Sequence, residues 1–244
     1  MNIVLKVSGE ALKDESNISS LMLSKVLEDV KYIKSKGHNV ILICGGGNFW
    51  RGRNKLDIDN AVSDEIGMLA TNMNALALGS YFNNNGVKTK VYSSVEVEKF
   101  IPKYDREKTL NDLNDGYTVI LGGGLGRPFI STDLATVTRA YELNSEMIIM
   151  AKNIDAVYDK DPKFSDAKKY DIISHKELLD NQNKIGKEKQ GVMDYEALLF
   201  IERTKPTIYL YNVKNRNGII DILDGKNPGT IIKSIWFYYI LLYN

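Results

Sequence analysis

Two stretches of this chain put bare backbone and a cation at the end of an apolar run. "ILICGGGNFWRG" (41–52) passes from apolar residues into Gly45, Gly46 and Gly47, with Arg51 close behind; "YTVILGGGLGRPF" (117–129) does the same through Gly122, Gly123 and Gly124, with Arg127 behind. Without Cβ atoms, successive amides can close on an anion as a concave nest of N–H donors. Three glycines also serve as a plain tight turn, but two loops of one design, each beside a guanidinium, favour phosphate. Lys6 is the third element. It interrupts the apolar run "IVLKV" and is followed by Ser8-Gly9, so its ammonium either snorkels to water or emerges at a strand end against an anion. A cation between two nests suits in-line phosphoryl transfer, where the protein aligns the reactants and neutralises charge.

Spacing excludes the commoner phosphate signatures. The Gly-Lys pairs at 186–187 and 225–226 lack the Ser or Thr of a P-loop, and both glycine loops miss the last glycine of G-x-G-x-x-G, where Trp50 and Arg127 stand. His38 and His175 have no companion Cys or His at zinc-ligand spacing.

Bulk properties narrow the partners. With 32 basic against 31 acidic side chains, a net charge of +1 gives no general attraction to nucleic acid or an anionic membrane. The single cysteine, Cys44, excludes an intrachain disulfide and suits a reducing, cytoplasmic compartment. At the N-terminus a lysine follows only three apolar residues, too short a run for a secretory signal. The apolar, aromatic tail from Ile235 to Tyr243 is less than half the roughly 20 residues a membrane span needs. It reads as packing on the body or a subunit contact, with a membrane-surface or aggregation role as the alternative.

Elements that could position these groups follow from periodicity. "IVLKV" reads as a buried strand, and Leu23, Val26, Leu27, Val30 and Ile33 recur at helical spacing before Gly37 and the strand "NVILIC". Helices around 61–84, 105–114 and 133–143 alternate with strands at "VKTKVYS", "YTVIL" and "EMIIMA". Further helices fall at "SHKELLDN", with Ser174 and Glu177 spaced as a capping box, and at "DYEALLFIERT"; "TIYLYNV" and "TIIKSI" close the set as strands. The stretch 181–191 reads as a surface loop. This alternation predicts an α/β fold, a three-layer α/β/α sandwich with a central, mostly parallel sheet. The chain reads as one compact domain of two lobes, 1–144 and 145–235, followed by the tail 236–244.

"KVSGEAL", "GGGNFWRG", "SDEIGMLATNMNALAL", "GRPFISTD", "AVYDKDP" and "GVMDYEAL" stand in an order and at distances that resemble the bacterial uridylate (UMP) kinases of the amino-acid kinase fold family, over residues 2–234. That resemblance implies transfer of a phosphoryl group from ATP, with Mg²⁺, to UMP, in a cytoplasmic homo-oligomer, usually a hexamer, with no dedicated protein metal site. It implies catalytic roles for Lys6, Asp133 and Asp194, which order the lysine and metal at the reaction centre. The donor would meet Lys6, Ser8, Gly9, Gly47 and Arg51, then Lys152 or Asn153, with Tyr158 and Asp161 on adenine and ribose. For UMP it implies Gly46, Asp64 on the ribose hydroxyls, and the run Leu125, Gly126, Arg127, Pro128, Phe129, Ile130, Ser131 and Thr132. Asp64, Asp133 and Asp194 could instead cap helices, and Tyr158 could be core. The second loop, commonly G-T-G-N-P in the family, reads "GLGRP" here, with Leu125 for threonine and Arg127 for asparagine. Two other functions fit the same residues: a kinase of this fold acting on another small acceptor, and a non-enzymatic nucleotide or oxyanion binder.

Overall fold

The computed structural model describes residues 1–51, 57–186 and 191–235. The first half alternates as the periodicity predicts: β1 (Asn2–Val7), α1 (Ser20–Ser35), β2 (Asn39–Cys44), α2 (Asn60–Asn84), β3 (Thr89–Ser93), α3 (Arg106–Asn114), β4 (Thr118–Gly122) and α4 (Thr132–Glu142). The second half runs β5 (Ser145–Lys152), the short strands β6 (Val157–Tyr158), β7 (Lys169–Tyr170) and β8 (Ile172–Ile173), then α5 (His175–Ile185), α6 (Tyr195–Thr204), β9 (Thr207–Asn212), α7 (Gly218–Leu223) and β10 (Thr230–Ile232). A 3-10 turn, Gly9–Leu12, follows β1.

Eight strands form one sheet in the order β3-β4-β2-β1-β5-β9-β10-β8, while β6 and β7 pair separately. Every neighbour pairing in the large sheet is parallel except β10 on β9. Parallel strands are buried on both faces, and the alternation of side chains divides them between two cores. Ile3, Leu5, Leu42 and Ile120 point to the layer of α1, α2 and α7, where Val30, Leu78 and Ile219 meet them. Val4, Ile41, Val119 and Ile148 point to the opposite layer, against Leu113, Val137, Leu178 and Ala197.

The sequence reading names no element at β6, β7, β8 or α7, and it ends α5 too early. Residues 181–185 are not loop but the last turn of α5, whose amphipathic face buries Leu178 and Gln182; residues 187–190 lie outside the described residues. The predicted capping box is half formed, with the Ser174 hydroxyl accepting from the Glu177 amide at 3.1 Å. Cys44 is buried in the core, which pushes its thiol up to about 12. The tail 236–244 also lies outside the described residues.

Candidate active site

The parallel strands β1, β2, β4 and β5 bring their C-terminal ends to one edge, where an open α/β sheet places its ligands. Lys6 is second to last on β1 and only 8% exposed, so it does not snorkel to water. Its ammonium donates to Asp133 Oδ1, and Lys152, the last residue of β5, donates to Asp133 Oδ2 at 2.6 Å. One carboxylate therefore ties two strand ends together. Burial alone would raise Asp133, but the paired lysines outweigh it and hold the carboxyl below its ordinary value. Lys152 is pushed below the ordinary lysine value by burial and by the neighbouring Lys6 charge.

Two helix N-termini converge on this cluster. Ser131 is the N-cap of α4, accepting from the amides of Asp133 (3.1 Å) and Leu134 (3.0 Å). Asp194 is the N-cap of α6, accepting from the Ala197 amide at 2.9 Å, and its other oxygen accepts the Ser131 hydroxyl. Asp194 is thus a cap and a member of the cluster at once. Helix N-termini carry partial positive charge, so both ends add to the field that Lys6 and Lys152 present to an anion.

In the first glycine loop the carbonyls of Gly45 and Gly46 are engaged, and the Gly45 amide donates to Val7 O at 2.8 Å. Gly45 O accepts from Asn74 Nδ2 at 2.6 Å, and Gly46 O accepts from the amides of Phe49 and Trp50, each at 3.0 Å. Asn74 is locked by reciprocal bonds to Asn48. The N–H groups of Gly46, Gly47 and Asn48 have no partner among the described residues. Gly9 must lack a side chain here, because a Cβ would stand 2.5 Å from Gly47 N. Arg51 is held by Glu10 at the mouth, with Nε at 2.9 Å and Nη2 at 2.5 Å from Oε1. Burial would raise Glu10, but its bonds from Arg51 and Lys13 keep it below the usual carboxylate range.

Beside that loop lies a cavity of about 190 Å³ between α2 and the segment 124–132. Gly46, Asp64, Arg127, Ile130, Ser131 and Thr132 line it, as does Gly47, expected at the donor site. Leu125, Gly126, Pro128 and Phe129 stand outside the lining. Phe129 contributes through its backbone instead: at φ 63 its amide donates to Asp64 Oδ2 at 2.7 Å. Asp64 is no cap, since Asp59 caps α2. Sequence reasoning missed Trp50, Ser63, Gly67, Met68 and Thr71 on the walls, while Gly124 comes from the second glycine loop it had singled out. Ser63, Gly67 and Thr71 recur every four residues, a small-residue face of one helix that the sequence carried in plain view.

A second, larger cavity of about 760 Å³ opens between the segment 153–162 and α5. Asn153, Tyr158 and Asp161 line it, while Lys152 turns instead to Asp133. Tyr158 is a wall residue whose hydroxyl donates to Asp155 at 2.9 Å, and Asp161 accepts from the Lys163 amide at 3.0 Å. Ser8 and Gly9 lie in neither lining; they form the turn beneath the first glycine loop. Asn181 and Asn212, not expected from sequence, stand on the walls of this larger cavity.

Known proteins share this fold. A curated uridylate kinase of Mycoplasmopsis synoviae is 39% identical over 232 residues, 92% of this chain and 94% of that protein. The crystal structure of UMP kinase from Ureaplasma parvum matches with TM-score 0.86 at 33% identity, covering 96% of this chain and 98% of that one. That of Bacillus anthracis UMP kinase matches with TM-score 0.87 at 30% identity, over 95% of each chain. The model of the amino acid kinase family matches residues 1–212, and the chain belongs to that family.

Proposed function

We infer that this chain is a uridylate kinase, transferring the γ-phosphoryl group of ATP to UMP. The observation that carries it is the Lys6–Asp133–Lys152 cluster, set between two cavities at the sheet edge and flanked by free loop amides. The relatives with nearly full-length coverage act on UMP by name.

In this reading the smaller cavity takes the acceptor, with Asp64 on the ribose hydroxyls, Thr132 on phosphate and the segment 125–132 around the nucleotide, while Arg51 at the mouth of the first glycine loop holds donor phosphate. The larger cavity takes ATP against Tyr158, Asp161 and Asn153. Acceptor walls come from residues 46–132 and donor walls from 153–212, which supports reading 1–144 and 145–235 as acceptor and donor lobes. Lys6 and Lys152 neutralise the transferring group, and Asp133 fixes both ammoniums so that no reorganisation is needed at the moment of transfer. Attack by the acceptor phosphate is direct, and no side chain serves as a nucleophile.

ATP brings a divalent cation, in this reading Mg²⁺, which when bound offsets phosphate charge. No three His, Cys, Asp or Glu side chains gather into a cage among the described residues. The set fits Mg²⁺ all the same, because that ion takes one or two carboxylates together with substrate phosphates and water. Asp194, at the cluster's open side, is the carboxylate that would hold it.

A homo-oligomer is part of the same reading. Val62, Leu69, Met73 and Leu76 are 45, 50, 50 and 40% exposed and form one apolar stripe along α2, which supports burial against a second copy. Among the described residues no helix is long and apolar enough to cross a membrane.

The test is Asp64→Asn. It should raise KM for UMP by about tenfold or more with little effect on KM for ATP; an unaltered UMP constant would shift the acceptor to a molecule without ribose.

A further inference from the structure

The second glycine loop is held by residues that have no place in the reaction so far. Ser94 follows β3 and is pressed against the loop: a Cβ on Gly126, which has φ 73, would stand 2.6 Å from Ser94 O. The Ser94 amide donates to Gly122 O at 3.1 Å. Its hydroxyl donates to Gly124 O at 2.7 Å. Arg139 Nη2, from α4, donates to that hydroxyl at 2.9 Å. A serine hydroxyl has one proton, so a donor arriving from Arg139 leaves that proton for the Gly124 carbonyl. Arg139 is itself fixed, 2.5 Å from Glu142 and 3.8 Å from the centre of the Tyr104 ring. On the other side Thr71 Oγ1 accepts from the Gly123 amide at 2.7 Å, and Gly126 N closes the turn on Gly123 O at 2.9 Å.

The carbonyls of Gly122, Gly123 and Gly124 are therefore all engaged. The amides of Gly124 and Leu125 have no partner among the described residues. In a trans peptide the N–H points opposite to the C=O, so anchoring Gly124 O on Ser94 directs the Leu125 N–H away from Ser94. Gly124 lines the acceptor cavity, and Leu125, the next residue along the loop, stands just past that lining. This end of the cavity belongs to β4, two strands from Lys6 on β1, or about 10 Å at the usual strand spacing. With the acceptor phosphate at Lys6, the far end of the nucleotide is the base.

We propose that Ser94 and Arg139 are positioning residues that present the Gly124 and Leu125 amides as a donor-only edge, which accepts a base carbonyl and rejects a base amino group. Resting on UMP as acceptor, this deepens that reading: uracil offers an oxygen where cytosine offers an amine, and two donors facing an amine leave both sides unpaired.

The experiment compares wild type with Ser94→Ala and Ser94→Thr, measuring kcat and KM for UMP, CMP and ATP, calorimetric binding of UMP and CMP without ATP, and thermal melting. Ser94→Ala should raise KM for UMP and narrow the preference for UMP over CMP, each by about tenfold. Its kcat should stay within about twofold and its KM for ATP should not move. Ser94→Thr, which keeps the hydroxyl, should restore both UMP quantities. Unchanged UMP affinity and preference in Ser94→Ala would overturn the proposal, as would equal losses for UMP and CMP, which would place the amides on the shared phosphate. Should Ser94→Ala fail to fold, Arg139→Lys, which keeps the charge and gives up the contact to the hydroxyl, must show the same selectivity loss. Absence of UMP turnover in wild type would instead defeat the uridylate kinase reading, and the calorimetric comparison would still decide the role of Ser94.

Discussion

At the scale of residues, two lysines share one carboxylate, and the proposed transfer step rests on them. Lys6→Ala should lower kcat on the order of 10²–10³-fold, the loss typical when a donor to developing negative charge is removed, with UMP binding far less affected. A kcat within a few-fold of wild type would remove Lys6 from the transfer step. Lys152 adds a pH dependence. Its folded value lies below the ordinary 10.5, because burial and Lys6 outweigh the attraction of Asp133. Charged Lys152 therefore costs stability below that folded value, and the cost is relieved as pH rises toward 10.5; activity, which needs the ammonium, moves the other way. The alkaline limb of the kcat/KM profile, which reports the free enzyme, should fall below 10.5, and Lys152→Arg should push it upward, which a series in overlapping buffers would read. Lys6 and both glycine loops were legible in the sequence because they are costly residues in apolar runs. The meeting of Lys152 with Asp133 was not, since nothing local encodes a contact between a strand end and a helix start. Trp50 was placed in the sequence only as the residue that breaks a dinucleotide motif, and the fold makes it a cavity wall.

Elements carry two conflicts that stability measurements can expose. Asn72, midway along α2, is 4% exposed with neither amide atom hydrogen-bonded, and it faces the backbone of Gly122. A buried unpaired amide costs about 1–3 kcal/mol, so Asn72→Val should raise the melting temperature; a fall would mean that the amide has a partner in solution. Asp29 on α1 is raised to about 6 from 3.8, chiefly by burial and further by Glu28, against the pull of Lys25. A carboxyl raised in the fold loses stability as pH climbs from 3.8 to about 6, and the cost is complete above that window. Asp29→Asn should stabilise the protein at pH 7, by no more than ~3 kcal/mol, and do little near pH 3.5, as paired denaturant titrations would show. Helices and long strands were readable from three-to-four and continuous apolar spacing. Short pieces were not: two-residue strands such as β6 and β7 have no periodicity, and the antiparallel setting of β10 depends on where its neighbours lie. The polar composition of 181–185 hid a last helical turn whose single buried side chain is Gln182.

For the whole molecule, the sheet sets the working distances. It lays the two cavities on either side of β1 and β5 and aims two helix N-termini at their meeting point. The apolar stripe on α2 lies outside both cores, so the charge-introducing pair Leu69→Glu with Met73→Glu should lower the mass found by sedimentation without unfolding the chain. An unchanged mass would place any subunit contact elsewhere. The central claim is phosphoryl transfer from ATP to UMP, and a coupled ADP-release assay with Mg²⁺ tests it most directly, with UMP, CMP, dUMP, GMP, carbamate, glutamate and aspartate offered in parallel. The account predicts turnover with UMP well above every other acceptor. Preferred turnover with a different acceptor, or nucleotide binding with no ADP released, would contradict it.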